Sequence, residues 1–167
     1  FEEIASGEKF VLNINHLRSK RGTGDYSNSR RMANVDSLLV MLNTIQEERV
    51  FEDADILLVG DYNCYTEEQP IQTIIEAGYE DMVMRYAPTG YSYVYQSEAG
   101  YLDRVFASES MAAQVTAVQP YHLNTDYFYT RGYKRGLDKT IFRYADHDPI
   151  LISVRLVEDN ADNYNQQ

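Results

Sequence analysis

Apolar positions along the chain fall into short runs with two periods, and those periods separate strands from helices. Phe1 to Ile4 and Phe10 to Ile14 read as two strands joined by Ser6-Gly7-Glu8, a turn-forming set, and so predict a hairpin. Leu17 to Asn28 is polar, glycine-bearing and basic and is expected as a loop. Asn28 or Ser29 then caps a helix by accepting a bond from a free N–H. Val35, Leu38, Leu39, Met41, Leu42 and Ile45 recur at three- and four-residue spacing, which predicts an amphipathic helix to about Glu48 with its stripe on a sheet.

The unbroken run Asp55-Ile56-Leu57-Leu58-Val59, closed by Gly60, has the pattern of a strand buried on both faces. Residues 61 to 63 would emerge at its C-terminal end, where open α/β sheets place their ligands. Thr66 is expected to cap a short helix with Pro70 in its first turn, running through Ile71, Ile74 and Ile75 to a stop at Gly78. Tyr91 to Gln96 and Leu102 to Ala107 read as strands paired through Ser97-Glu98-Ala99-Gly100, and Val115 to Val118 as another. Between Pro120 and Ala145 the pattern dissolves into tyrosines and basic residues, a long loop of the kind that carries function or disorder. Ile150 to Leu156 is the last strand.

With 167 residues, the chain has room for one domain with a real core, placed here at residues 1–157, and the polar segment 158–167 reads as a tail or linker. Its 44% hydrophobic and 25% charged residues are those of a globular protein. No apolar stretch approaches the roughly 20 residues that span a bilayer. The start at Phe1, with no basic leader or apolar core before it, reads as an excised or processed boundary. A lone Cys64 excludes an intrachain disulfide and leaves the compartment open. Fifteen Tyr, no Trp and a net charge of −11 suit a secreted or cell-surface protein.

That charge also bears on partners. Proteins that grip nucleic acid by neutralising many phosphates are normally basic, because counterion release drives binding. An acidic hydrolase can still act on a phosphodiester if metal ions mask the repulsion and a local basic strip meets the backbone. Arg18, Lys20 and Arg21 offer such a strip, as do Arg131, Lys134, Arg135 and Lys139.

The most telling stretch is Asp146-His147-Asp148-Pro149, just ahead of the last strand. A histidine between carboxylates can hold a divalent cation and take a proton from water. Asp61 and Asn63 flank Tyr62, so period-two geometry points an anionic ligand and a neutral donor the same way. Gly-Asp-Tyr-Asn is equally adequate as a capping turn. Asp103 can form a surface pair with Arg104, or reach a histidine, for which His147 is the natural partner, and fix its tautomer. His16, beside Arg18 and Lys20, can contact a phosphate or protonate a leaving group, or be structural. His122 has no carboxylate pattern around it and reads as structural. Cys64 lacks the companions of a zinc site and the basic flank of a reactive thiol, and reads as a small buried side chain.

Taken in order, Asn15-His16-Leu17-Arg18-Ser19-Lys20, Gly60-Asp61-Tyr62-Asn63, Tyr101-Leu102-Asp103-Arg104-Val105 and Asp146-His147-Asp148-Pro149 resemble the endonuclease/exonuclease/phosphatase superfamily, the deoxyribonuclease-I-like fold. Residues 65–71, 77–79, 91–94 and 122–126 resemble the intervening segments of its secreted bacterial nucleases, so the likeness runs from about residue 10 to 157. The resemblance implies a metal-dependent phosphodiester hydrolase, most closely an extracellular nuclease acting on DNA or RNA. Phosphoesterases on lipid or sugar phosphates and a non-catalytic binding module are the alternatives. It implies that His147 with Asp103 handles the proton of the attacking water, and that Asp61 and Asn63 position nucleophile and phosphate. It further implies that His16 contacts the scissile phosphate, that Asp146 with Asp61 and Asn63 holds Mg²⁺ (or Mn²⁺ or Ca²⁺), and that Arg18 and Lys20 meet substrate phosphate. Asp148 receives no chemistry.

The family's N-terminal half brings an asparagine and a metal-ligating glutamate that nothing in this chain supplies. The expected fold class is therefore α/β, half of a four-layer sandwich. It comprises one mainly antiparallel or mixed sheet with helices on one face, the other face awaiting the missing half or a second copy. Alone, such a chain is expected to be weakly active or inactive.

Overall fold

A computed structural model describes residues 1–21, 24–47, 55–127 and 142–156. The basic residues 131, 134, 135 and 139 and the tail from 158 lie outside them.

The strand buried on both faces is β2 (Ile56–Asp61), inside a four-stranded mixed sheet. It pairs in parallel with β1 (Val11–His16) and antiparallel with β6 (Asp103–Ala107), which in turn pairs with the two-residue β3 (Glu80–Asp81). One face of the sheet, carrying Ile56, Leu58 and Phe106, packs under α1 (Gly24–Glu47) and α2 (Gln69–Glu76) through Val35, Leu38, Leu42, Ile71 and Ile74. The other face, carrying Leu57, Val59 and Val105, meets α3 (Met82–Tyr86), α4 (Glu109–Gln114) and the antiparallel pair β7 (Val115–Pro120) and β8 (Ile150–Val154).

Four features differ from the pattern-based expectation. The N-terminal hairpin exists, closed by bonds between Phe1 and Phe10, but it is a single bridge rather than a strand pair. Helix α1 begins at Gly24, inside the expected loop, because its buried stripe continues through Ser27 and Arg31, polar residues that apolar periodicity cannot register. Ser27 Oγ donates to the Arg21 carbonyl and Arg31 to the Arg18 carbonyl, so that end of the helix packs on backbone. The expected partner strands 91–96 and 102–107 do not pair. Instead β4 (Tyr93–Tyr95) folds back on β5 (Glu98–Gly100) through Gln96 and Ser97, both at positive φ, which releases β6 to the main sheet. Finally, α2 is capped at Glu68, whose carboxylate accepts from Tyr65 N–H, while Thr66 turns away to accept a bond from Arg104.

Candidate functional site

Sheet register builds one wall of the site. Ile14, Val59 and Val105 lie side by side across β1, β2 and β6, and two residues further on His16, Asp61 and Asp103 form the next row. Paired residues share a face and alternate residues return to it, so an apolar row is followed by an ionisable one at the sheet's end. Gly60, one step below, sits at φ +134° with a hypothetical Cβ only 1.9 Å from the Asn15 carbonyl oxygen. Any side chain there would push β1 from β2 and break the row.

The same alternation separates Asp103 from Arg104. They do not pair. Arg104 lies on the opposite face, fully buried, donating to Asp81 at 2.8 Å and to Thr66 at 2.8 Å. Asp103 is left to accept at Oδ2 from His147 Nδ1 at 2.7 Å and from Ser92 Oγ at 2.7 Å. Burial, the largest single influence, pulls the His147 pKa down. The bond and charge of Asp103, with the charges of Asp61 and Asp146, more than reverse that and hold it above its ordinary value. With Nδ1 engaged, Nε2 is the ring nitrogen left for a ligand.

Asp61 closes β2 and Asn63 turns back on it at φ 50°, so the turn and the site coincide. Asn63 N–H donates to Oδ1 at 2.8 Å and its Nδ2 to Oδ2 at 2.9 Å. Nδ2 also donates to the Leu17 carbonyl at 3.0 Å. Both amide hydrogens are therefore spent, which corrects the expectation of a donor aimed at phosphate; only Oδ1 of Asn63 stays free among the described residues. Burial raises the Asp61 pKa, partly countered by the Asn63 N–H and by His147 and His16. His16 is largely exposed, with Nε2 3.5 Å from Asp61 Oδ2.

These residues line a cleft of about 1080 Å³, together with Arg18, Ser19, Lys20 and Arg21 and with Tyr65, Tyr93 and Tyr95. Lys20 is tied to Glu68 and lies 4.4 Å over the Tyr65 ring. Arg18 and Arg21 make no ion pair among the described residues. Asp146 also lines the cleft, exposed and without a hydrogen bond or ion pair among the described residues.

Asp61, Asp103 and His147 each offer a ligand atom within 4.8 Å of the others. Asp103 keeps Oδ1 unbonded among the described residues, while both oxygens of Asp61 accept from Asn63. Half-buried Asp61, and Asp146, which has no hydrogen bond or ion pair among the described residues, offer the carboxylate oxygens that a hard cation takes.

Several residues that hold the site had no sequence signal. Ser92 is fully buried between two tyrosines. His122 does have a carboxylate partner: its Nδ1 lies 2.8 Å from Asp148 Oδ2. Asp148 also accepts at Oδ1 from the N–H groups of Leu123, Asn124 and Thr125, and at Oδ2 from the Thr125 hydroxyl. Asn124, buried beside it, donates to the His147 carbonyl at 2.7 Å and accepts from Tyr144 N–H at 2.9 Å. Together they clasp the segment that carries Asp146 and His147. Cys64 is buried as expected, and that burial pushes its thiol up to about 11.

No protein-family model and no curated protein matches the sequence. Solved structures do. An endonuclease/exonuclease/phosphatase family protein from Bacteroides thetaiotaomicron aligns with TM-score 0.59 and 17% identity over 89% of this chain and 50% of its own. An AP endonuclease from Archaeoglobus fulgidus aligns with TM-score 0.62 and 12% identity over 88% of this chain and 62% of its own. A mannosyl-6-phosphatase from Bacteroides thetaiotaomicron gives TM-score 0.62 and 17% identity over 93% and 54%. The chain thus spans between half and just under two thirds of these proteins, and over that span it has the endonuclease/exonuclease/phosphatase fold.

Proposed function

We propose that this chain carries the catalytic centre of a metal-dependent phosphodiester hydrolase acting on nucleic acid, outside the cell or at its surface. The observation that carries the reading is the His147–Asp103 couple, bonded at 2.7 Å beside Asp61 in a cleft lined in part by arginines. Asp103, itself held by Ser92, keeps the His147 proton on Nδ1, so that Nε2 takes the proton of the attacking water. Asp61, fixed by Asn63, orients that water, and His16 and Arg18 meet the phosphate oxygens. Asp146 and Asp61, with Asn63 Oδ1, are the oxygens that would hold Mg²⁺ or a similar cation, which supplies charge neutralisation at the phosphoryl group.

A sugar-phosphate substrate is the second reading, favoured by the phosphatase among the structural neighbours. Plasmid DNA, RNA and a sugar phosphate assayed in parallel with Mg²⁺ separate the two. Faster turnover of the sugar phosphate than of either nucleic acid overturns the first.

The chain is read as the C-terminal part of a larger domain. Its support is the coverage of the neighbours and the outer strand β1, on which Ile14 is 76% exposed. The face that carries Ile14 is expected to be covered by further chain or by a second copy. Size-exclusion chromatography with light scattering should show association, and plasmid nicking by the chain alone should be slow. A clean monomer that nicks rapidly contradicts both.

A further inference from the structure

The cleft has a wall that the hydrolytic reading leaves unused. Tyr93 lies against the His147 ring, tilted by 37° with centroids 4.6 Å apart, and Tyr95, two residues along the same face of β4, lies nearly parallel to Tyr93 at 8° and 6.3 Å. Two tyrosine rings therefore extend in sequence from the proton-handling group. Tyr93 is occupied by His147, whereas Tyr95 is 56% exposed, its hydroxyl touched only by Gln96 among the described residues.

The row is held stiffly. The hairpin turns at Gln96 and Ser97, with φ of 50° and 70°, in a two-residue loop whose twist matches its strands. Behind it the Tyr65 ring packs on Gly100, where a Cβ would stand 2.9 Å away. A large ring kept exposed on a rigid turn loses little entropy when something stacks on it. In the same cleft Arg18 and Arg21 offer charge to a backbone. A π-face beside a cationic track is the arrangement that binds nucleic-acid strands with little sequence preference.

We propose that Tyr95, backed by Tyr93, stacks on a nucleobase next to the phosphate held at His147, so that the cleft takes strands whose bases are accessible. This rests on the phosphodiester reading. The absence of Trp from the chain makes a Tyr95→Trp variant a unique emission reporter.

The test titrates that variant, without divalent cation so that nothing is cleaved, with a short single-stranded deoxyadenylate oligomer and with an abasic oligomer of equal length. Emission should be quenched by the first and not the second. In polarisation assays on the unsubstituted chain with labelled oligomers, the base-bearing strand should bind roughly 10-fold more tightly. Tyr95→Ala should erase that difference and Tyr95→Phe should keep it. Equal binding of both oligomers to the unsubstituted chain overturns the stacking wall while leaving phosphate binding intact. Failure of both to bind overturns the wall together with the reading beneath it.

Discussion

His147 Nδ1 bonds Asp103 at 2.7 Å, and Asp148, the next residue, bonds His122 Nδ1 at 2.8 Å. The two pairs have nearly the same length and differ in everything around them. Asp148 is buried, accepting three backbone N–H groups at one oxygen and a hydroxyl and an imidazole at the other. Asp103 uses Oδ2 for two side chains and lines an open cleft in which His147 keeps a ring nitrogen unspent. Both histidines keep Nε2 unbonded among the described residues, so what separates a structural His–carboxylate pair from a chemical one is the capacity left on the carboxylate and whether the pair lines a cleft. By that measure His122–Asp148 holds a loop and His147–Asp103 is poised for a ligand.

The largest expected contrast is in rate. His147→Ala should lower phosphodiester hydrolysis by about 100-fold or more, the usual contribution of a positioned proton-transfer group. Its melting temperature should fall less than that of Asp148→Ala. Asp148→Ala should instead unfold the clasp, costing on the order of 3 kcal/mol because the backbone donors that it satisfies are left unpaired. A melting curve like that of the unsubstituted chain would remove the structural assignment of that pair.

The two pairs should also respond to pH in opposite directions. Burial alone would raise the Asp148 pKa, but the bonds from Thr125 and His122, then from the Asn124 and Thr125 N–H groups, hold it below its usual value. Its stabilisation is complete above about pH 4 and is lost as the pH falls through the lowered value. His147 is raised, so its contribution is complete below its ordinary value and is lost as the pH rises through the folded one. Thermal melts of Asp148→Asn and Asp103→Asn across the pH range should therefore converge on the unsubstituted chain at opposite ends, the first in acid and the second in alkali. The smallest effect belongs to His122→Ala, about 1 kcal/mol or less of stability for a partly exposed partner, with no loss of rate.

The contrast also explains what the sequence could disclose. His16, Asp61 and Asp103 were each legible as candidates because each ends or begins an apolar run, but their row was not, because the expected partner of residues 102–107 was 91–96 rather than β2. His147 was legible through its neighbours. The His122–Asp148 pair was not, since its members lie 26 residues apart across a loop with no period. The β4–β5 turn was equally silent, because Gln96 and Ser97 take positive φ without the Gly or Asn that usually announces it. Of the two partners left open for Asp103, Arg104 and His147, the structure has the second, because a strand sends adjacent side chains to opposite faces.

The chain holds only three histidines, His16, His122 and His147, so each ring can be followed separately by NMR. Titration with Mg²⁺ and inorganic phosphate tests most directly which pair belongs to the ligand site. The signals of His16 and His147 should move together while that of His122 stays in place. Movement of His122 with His16 and His147 unchanged would contradict the assignment of the two pairs.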